Sequence, residues 1–504
     1  MTARHPSESL QQQVLEIGAR LQRPPSDLLV NSVFAWELAQ QLHLFDALGT
    51  TDIAQTLVAL ELKTIPETEG RALLAALLEL QRKPDNFELN PERGDIYTNR
   101  EAWLTERGAA VGWLGAGRAR REAITTAFVL VLRKALLDYQ FALSALGGVM
   151  IERTMTHQLA LMPDYTYLQA AQPTTFGHYL LSFAYPLLRD LERLDLLFGQ
   201  LNLSPVGCGS TNGSRIPQGR QQAAQLLGFA GVIEHARDAM WQADVCINCV
   251  SILNTGSITL SRLAEDLQIF STQEFGLIEL DDRHARASKI MPQKKNPFAL
   301  THVRAFANKM IGLSATMTAS SRTPSGQPDN RLLIYGELPE AVRQATEVSE
   351  LMAEVLEHLR FKADRGRQLI ESGWTLATDL AETLVLECGL DFRAAHQLVG
   401  FLAGEFQQYS VSVLSPEIII AACEQRLGRR IELSRAQLEK ALDLLHAIES
   451  RQEAGGTSMS SMEAMLNACS AQFTRYREQA LILRTYLEDK EEELLRLAEA
   501  LATR

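Results

Sequence analysis

Apolar residues recur at spacings of three and four along most of the chain, without the sustained two-residue alternation of half-buried strands. The pattern runs long from about Glu122 to Thr156, Pro173 to Leu201, Ile233 to Phe270 and Pro297 to Ala319. No proline falls between Pro91 and Pro163, between Pro217 and Pro292, or between Pro339 and Pro416. Proline removes a backbone donor and clashes with the preceding turn, so these spans predict uninterrupted rods of a helix bundle. A further apolar run from Asp27 to Leu48 predicts a buried helix. Breaks at Pro24-Pro25, Gly49-Thr50 and the turn beginning at Lys83 divide the start of the chain into short helices. Past Arg360 the elements shorten again, until a charged amphipathic helix runs from Ala471 toward the end. The expected fold is all-α in three parts: an N-terminal helical domain over 1–120, a central long-helix bundle over 121–360 and a C-terminal helical domain over 361–504. Helical patterns longer than about 25 residues mark coiled-coil or intersubunit packing, so an oligomer is expected.

Charge and composition narrow the function. A formal charge of −12 argues against nucleic-acid binding, which needs clustered Lys and Arg to neutralise phosphates. No apolar run reaches the length of about 20 residues that a membrane span needs, and MTARHPSESLQQQ lacks a signal-peptide core. A cytoplasmic protein without membrane contact is expected. Six cysteines in a chain of this length make no disulfide framework. Cys246 and Cys249 form a CxxC pair, which would point to zinc if a second ligand pair lay at suitable spacing; their apolar helical flanks favour two small buried residues one turn apart. No metal or cofactor is expected.

One stretch stands apart. Asp281 to Pro297, DDRHARASKIMPQKKNP, carries Arg283, Arg286, Lys289, Lys294 and Lys295, with Pro292 and Pro297 excluding a continuous helix. A local positive field in an acidic chain suits a small anionic substrate; a merely solvated basic loop is the plain alternative.

The residues Ser288-Lys289-Ile290-Met291-Pro292-Gln293-Lys294-Lys295-Asn296-Pro297 resemble the signature loop G-S-S-x-M-P-x-K-x-N of the aspartase/fumarase superfamily, and MPQKKNP resembles its argininosuccinate lyase branch in particular. Other motifs follow in family order. Asp95 to Arg121 is similar to a D-I-H stretch followed by H-T-x-R-S-R-N-D-Q. There Arg118 and Arg120 remain, while Ala119, Arg121 and Glu122 replace the family's Ser, Asn and Asp. Met162 to Pro173, MPDYTYLQAAQP, resembles P-x-Y-T-H-L-Q-x-A-Q-P, with Tyr167 where the family has a histidine and His178 matching a second one. SPVGCGSTNG at Ser204 to Gly213 is similar to a Gly-rich loop, and Leu260 to Leu267 is close to L-S-R-M-A-E-D-L. Ala377-Thr378-Asp379-Leu380-Ala381 and Gly455-Gly456-Thr457 match later motifs. The resemblance covers about Asp27 to Met462.

What the resemblance implies is a lyase that splits a carbon–nitrogen bond beside a succinyl group and releases fumarate. On it, Ser288 is the catalytic base, Lys294 a catalytic cation and Tyr167 the group on the acid side; Arg118, Arg120, Thr166, Gln169, Asn296 and Ser32 bind substrate. A homotetramer with active sites shared between chains is implied too. Departures bear on the substrate. The family's S-x-R-D becomes Trp241-Gln242-Ala243-Asp244, Ala287 replaces a glycine, Lys289 replaces a serine, and TPSGQPDNR at Thr323 to Arg331 stands where argininosuccinate lyases carry L-P-S-T-Y-N-K-D. The expected substrate is therefore an N-substituted aspartate other than argininosuccinate. Argininosuccinate itself and a non-catalytic structural relative remain the alternatives.

Overall fold

The computed structural model describes Leu21 and residues 23–84, 87–322 and 331–503. The main body is a bundle of long helices. Helices α1 (Phe45–Glu61) and α2 (Glu67–Gln81) pack together at one end; α3 (Arg120–Thr156), α4 (Phe176–Leu201), α5 (Asp244–Phe270), α6 (Phe298–Ser321), α7 (Arg331–His358) and α8 (Met459–Ala502) form the rods. Two of the four predicted rods, Glu122–Thr156 and Pro297–Ala319, correspond to α3 and α6; the Pro173–Leu201 rod starts only at Phe176, and the Ile233–Phe270 rod is broken at Gln242-Ala243 into a short helix, Ala236–Trp241, and α5. Helix α3 is the axis: it packs against α4, α7 and α8 and buries residues on nearly every side, from Ala123 and Ile124 to Met150 and Ile151. A helix apolar on all faces belongs at the centre of a protein. Gly147 lets α8 come close, because a Cβ there would lie 2.1 Å from the Phe473 ring. Pro339 falls inside α7 and does not end it. Among the described residues no helix is long and apolar enough to cross a membrane.

The structure departs from the sequence pattern in three places. The Asp27–Leu48 segment is not one buried helix: Leu29–Phe34 is a π-helical turn with no buried residue, and burial begins only at Glu37 and Leu38. The apolar spacing was real, but Leu28 is 77% exposed, so that face is not covered among the described residues. The hydrophobic core is divided differently from the chain. The helices before residue 120 share one continuous core with the rods, and α8 returns to it through Met462, Leu466, Phe473 and Leu494. The smaller second core gathers Leu161 with residues from Ile370 to Ile448. The C-terminal unit thus ends near 448, because the apolar face of α8 finds its complement on α3.

The third place is Met162 to Pro173, between the predicted rods, where the structure has strands. Strand β1 (Leu161–Thr166) pairs antiparallel with β2 (Gln169–Thr175), Leu161 opposite Thr175 and Thr166 opposite Gln169. Tyr167 and Leu168 turn the hairpin at φ of 54° and 59°. Tight two-residue turns need positive φ at both central positions, usually supplied by Gly or Asn, so this sequence carries no conventional hairpin signal.

Candidate active site

The predicted site residues fall into separate clusters. At the N-terminal end of α3, Asp52 accepts from Arg118 Nη1 at 3.0 Å and Arg100 Nη2 at 3.4 Å, and Arg118 Nε lies 3.9 Å from Glu122 Oε2. Glu122 Oε1 accepts from the backbone N–H of Gly207 at 2.9 Å, tying the Gly-rich loop to the rod. Burial opposes the charge on Arg118, but Glu122 and Asp52 outweigh it and raise its pKa; burial pushes the Glu122 carboxyl up while Arg118 pulls it back. Arg118, expected to bind substrate, has a side chain 1% exposed that faces the carboxylates of Asp52 and Glu122, while its Nε and Nη2 make no hydrogen bond among the described residues.

Its neighbours are better placed. The Arg120 side chain is 36% exposed, with Nε 3.4 Å from Asp95 Oδ2, while Asp95 Oδ1 caps the Ile96–Glu106 helix by accepting from Thr98 N at 2.9 Å. Arg121 Nη1 meets Glu37 Oε1 at 3.1 Å. Glu101, close enough to feel Asp52 and Asp95, is pushed up to about 7, chiefly by burial. Ser32 is exposed on the π-helical turn and returns its hydroxyl to Leu28 O. Asp95 and Glu37, which orient the two arginines, were not foreseen as site residues; their sequence signal was an acid at a helix N-cap for Asp95 and in a first helical turn for Glu37.

The hairpin forms the second cluster. Tyr167 is fully exposed at the turn, with Thr166 and Gln169 exposed beside it. At the hairpin base His178 Nδ1 lies 3.2 Å from Thr174 Oγ1 and Nε2 lies 3.0 Å from Gly455 O, joining two of the family-like motifs. Tyr165 packs edge-on against Phe275 at 5.2 Å and lies 5.8 Å from Phe270, the last residue of α5.

The chain beyond α5 builds the third cluster at this same end. Strands β3 (Arg286–Ala287) and β4 (Lys295–Asn296) pair antiparallel, so residues 288–294 close a hairpin loop. Asn296 Nδ2 donates to Arg286 O at 2.9 Å and pins its neck. Ala287 sits in extended strand opposite Lys295, so the loss of the family glycine there costs no positive-φ strain. The Ser288 Oγ accepts from the backbone N–H groups of Met291 at 3.0 Å and Ile290 at 3.4 Å. Lys295 pairs with Asp282 at 2.6 Å, whereas Lys289 and Lys294 make no ion pair among the described residues. A hydroxyl that accepts two N–H bonds in a cation-rich loop is one whose alkoxide is stabilised. The departures at residues 323–330, including Gln327 and Asp329, lie outside the described residues.

The clusters do not converge within one chain. Helix α3 spans 37 residues, a length of about 55 Å at 1.5 Å per residue, with Arg118 and Arg120 at its start and the Thr166–Gln169 hairpin beyond its end. Hydrogen bonding needs about 3 Å. Arg120 and Thr166 of one molecule therefore cannot hold the same small substrate.

The CxxC cysteines lie in the core, at 7% exposure for Cys246 and none for Cys249, and burial raises both thiols. Among the described residues no group of three or more His, Cys, Asp or Glu could hold a metal ion.

Known proteins match this chain along most of its length. Residues 33–312 match the lyase family model, and residues 374–449 match the argininosuccinate lyase C-terminal model, which coincides with most of the second core. The argininosuccinate lyase of Methanothrix thermoacetophila is 32% identical over 429 residues, covering 85% of this chain and 87% of that protein. The argininosuccinate lyase of Methanococcus maripaludis strain C7 is 29% identical over 449 residues, covering 88% and 92%. Among solved structures, an EDDS lyase variant with bound fumarate superposes with a TM-score of 0.85 at 23% identity, covering 96% of this chain and 97% of that one. The class II fumarase of Schistosoma mansoni superposes with a TM-score of 0.69 at 16% identity, covering 85% and 96%.

Proposed function

The chain belongs to the argininosuccinate lyase-like branch of the aspartase/fumarase superfamily and is a fumarate-releasing carbon–nitrogen lyase; on that premise we propose that it performs β-elimination on an N-substituted aspartate whose amine half is not arginine. The chemical difficulty is removal of a weakly acidic proton from the carbon next to a carboxylate, which calls for a strong base and for positive charge on the carboxylate as it becomes a dianion. Ser288 is the base. The observation that carries this reading is its Oγ, which accepts from the N–H groups of Ile290 and Met291 beside a lysine without an ion pair among the described residues. Lys294 and the second amide hydrogen of Asn296 hold the reacting carboxylate, and Arg120, Thr166 and Gln169 bind the rest of the succinyl half. Tyr167 protonates the leaving amine through its phenolic O–H.

The same reading requires an oligomer, since the chemistry needs Arg120 and Ser288 at one substrate and α3 separates their ends by about 55 Å. A homotetramer with active sites composed from different chains meets the need, the long antiparallel rods bringing one chain's start to another's end.

A second reading, argininosuccinate as the natural substrate, is favoured by the names of the relatives above. The departures at Tyr167, Ala243 and the TPSGQPDN run support the first. A site built to hydrogen-bond one leaving group rejects analogues steeply, so the two separate cleanly. The deciding experiment incubates the protein with fumarate and a panel of amines, amidines and hydroxylamines, analyses adducts by mass spectrometry, and follows fumarate release from argininosuccinate in parallel. An amine other than arginine giving the fastest adduct is the expected result. Fastest reaction with arginine would establish the second reading.

A further inference from the structure

Helices α3 and α7 run parallel. The Tyr335 hydroxyl lies 3.2 Å from Thr125 Oγ1 near their starts, and Arg153 Nη2 donates to Leu359 O at 2.8 Å near their ends. Thr125 Oγ1 gives its one hydrogen to Arg121 O at 2.7 Å, so Tyr335 is the donor between the two hydroxyls. Arg331, the first residue of α7 and one turn before Tyr335, therefore stands level with Arg121, at the end of the bundle that carries Arg120. From the other side Arg331 Nη2 donates to Gln242 O, in the Trp241-Gln242-Ala243-Asp244 stretch.

The guanidinium groups at this level are unequally committed. Arg121 faces Glu37 and Arg120 faces Asp95. Arg331 makes no ion pair among the described residues, and neither does the exposed Asp244 two residues past Gln242. Arg331 is half-buried, yet its one bond leaves four of five donors, including a complete two-nitrogen edge, and its Nε and Nη1 are not closed off from solvent. Stability does not account for the placement. A cation in the first turn opposes the helix dipole, and no acid shares that turn.

In the proposed elimination the succinyl half is held by Lys294 and Asn296 and by Arg120, Thr166 and Gln169. We infer that Arg331 selects the other half: the leaving amine carries an acidic group of its own, a carboxylate or sulfonate, received by the free edge of Arg331, an assignment that rests on that elimination. Two N–H groups on one edge match a carboxylate, and Gln242 O fixes their direction. An amine half bearing only positive charge is repelled. Two other cations compete for the role, Lys289 on the loop and Arg322 at the end of α6, but both are exposed and neither side chain is fixed by a hydrogen bond or ion pair among the described residues.

The test adds matched amines to fumarate with the full-length protein in its native assembly: glycine and glycinamide, β-alanine and β-alaninamide, 4-aminobutanoate and 4-aminobutanamide. Arg331→Gln should lower kcat/KM for the best acid by about tenfold to a hundredfold, the scale of a hydrogen bond to a charged group, and leave that for its amide within about threefold. Comparing variant with parent cancels the amines' own reactivity, and a displaced helix would slow both members of a pair alike. Arg331→Lys should recover part of the loss for the acid, while Lys289→Gln and Arg322→Gln should leave the acid-to-amide ratio where it was. Equal loss for acid and amide in Arg331→Gln, a ratio that shifts in Lys289→Gln or Arg322→Gln instead, or a parent that adds only amines without an acidic group would each overturn the inference. A parent that adds no amine at all, acidic or neutral, would refute the elimination itself and the inference with it.

Discussion

The two arginine- and lysine-rich regions of this chain look alike as sequence and differ in kind as structure. At the N-terminal end of α3, Arg100 and Arg118 are 1% exposed and locked to Asp52. In the 288–294 loop, Lys289 and Lys294 are exposed and make no ion pair among the described residues. A buried cation must be paired at home or it destabilises the fold, and once paired it has nothing to offer a substrate. An exposed loop cation keeps its hydration until an anion replaces it, so it can do chemistry while adding little to stability. Arg120 sits between these cases, half committed to Asp95 and over a third exposed.

The comparison breaks first at Ser288. Ser288→Ala should lower kcat by about 10³-fold, the scale of a lost general base, while circular dichroism shows an unchanged melting temperature. Activity within a few-fold of the parent would return the base assignment to Tyr167. Asp52→Asn should do the reverse. It leaves the buried Arg100 without a carboxylate and Arg118 with Glu122 alone, so denaturant unfolding should register a loss of about 3–5 kcal/mol. A loss below about 1 kcal/mol would mean that the buried network is replaceable by water.

Mixing sharpens the contrast between the two ends. If one active site draws Arg120 and Ser288 from different chains, co-refolding inactive Ser288→Ala with inactive Arg120→Glu at equal amounts should restore about a quarter of parental activity, the chance that a site receives both intact residues. No recovery in mixed tetramers verified by native mass spectrometry would place both residues at one site within one chain. The smallest effect concerns acid stability. His157, packed 5.3 Å from Phe176 and 5.8 Å from Phe361, is drawn down to about 4, first by burial and then by Arg153. Between that value and the ordinary histidine range the unfolded chain binds the extra proton, so stability falls as pH drops through this window. Replacing the ring by His157→Phe should remove on the order of 1–2 kcal/mol of that pH dependence, the full linkage value being discounted for partial exposure. Unfolding midpoints at pH 4.5 and 7 would measure it.

Much of the bundle was legible because it rests on local periodicity. Apolar spacing marks α3, α4 and α6 within a few residues and the end of α5, even across Pro186 in α4, since a helix satisfies its own backbone whatever surrounds it. The signature loop was legible for a different reason: MPQKKNP is a rare string, and its Ser288, Lys294 and Asn296 stand together at a hairpin loop. The β1–β2 hairpin was not, because Tyr167-Leu168 holds positive φ without glycine or asparagine and strand pairing is a long-range agreement.

From the sequence alone came the helical class, the position of the rods, the family and the identity of the loop residues, all carried by short spans in which neighbours along the chain are neighbours in space. Which arginine is structural and which faces outward was decided only by the tertiary structure. Arg118 and Arg120 are two positions apart on adjoining turns of chain, and what separates their roles is Asp52 and Glu122 around one and Asp95 beside the other. Charge has no meaning for function until its surroundings set how much water and how many counter-charges it keeps, and those surroundings are assembled from residues far away in the sequence.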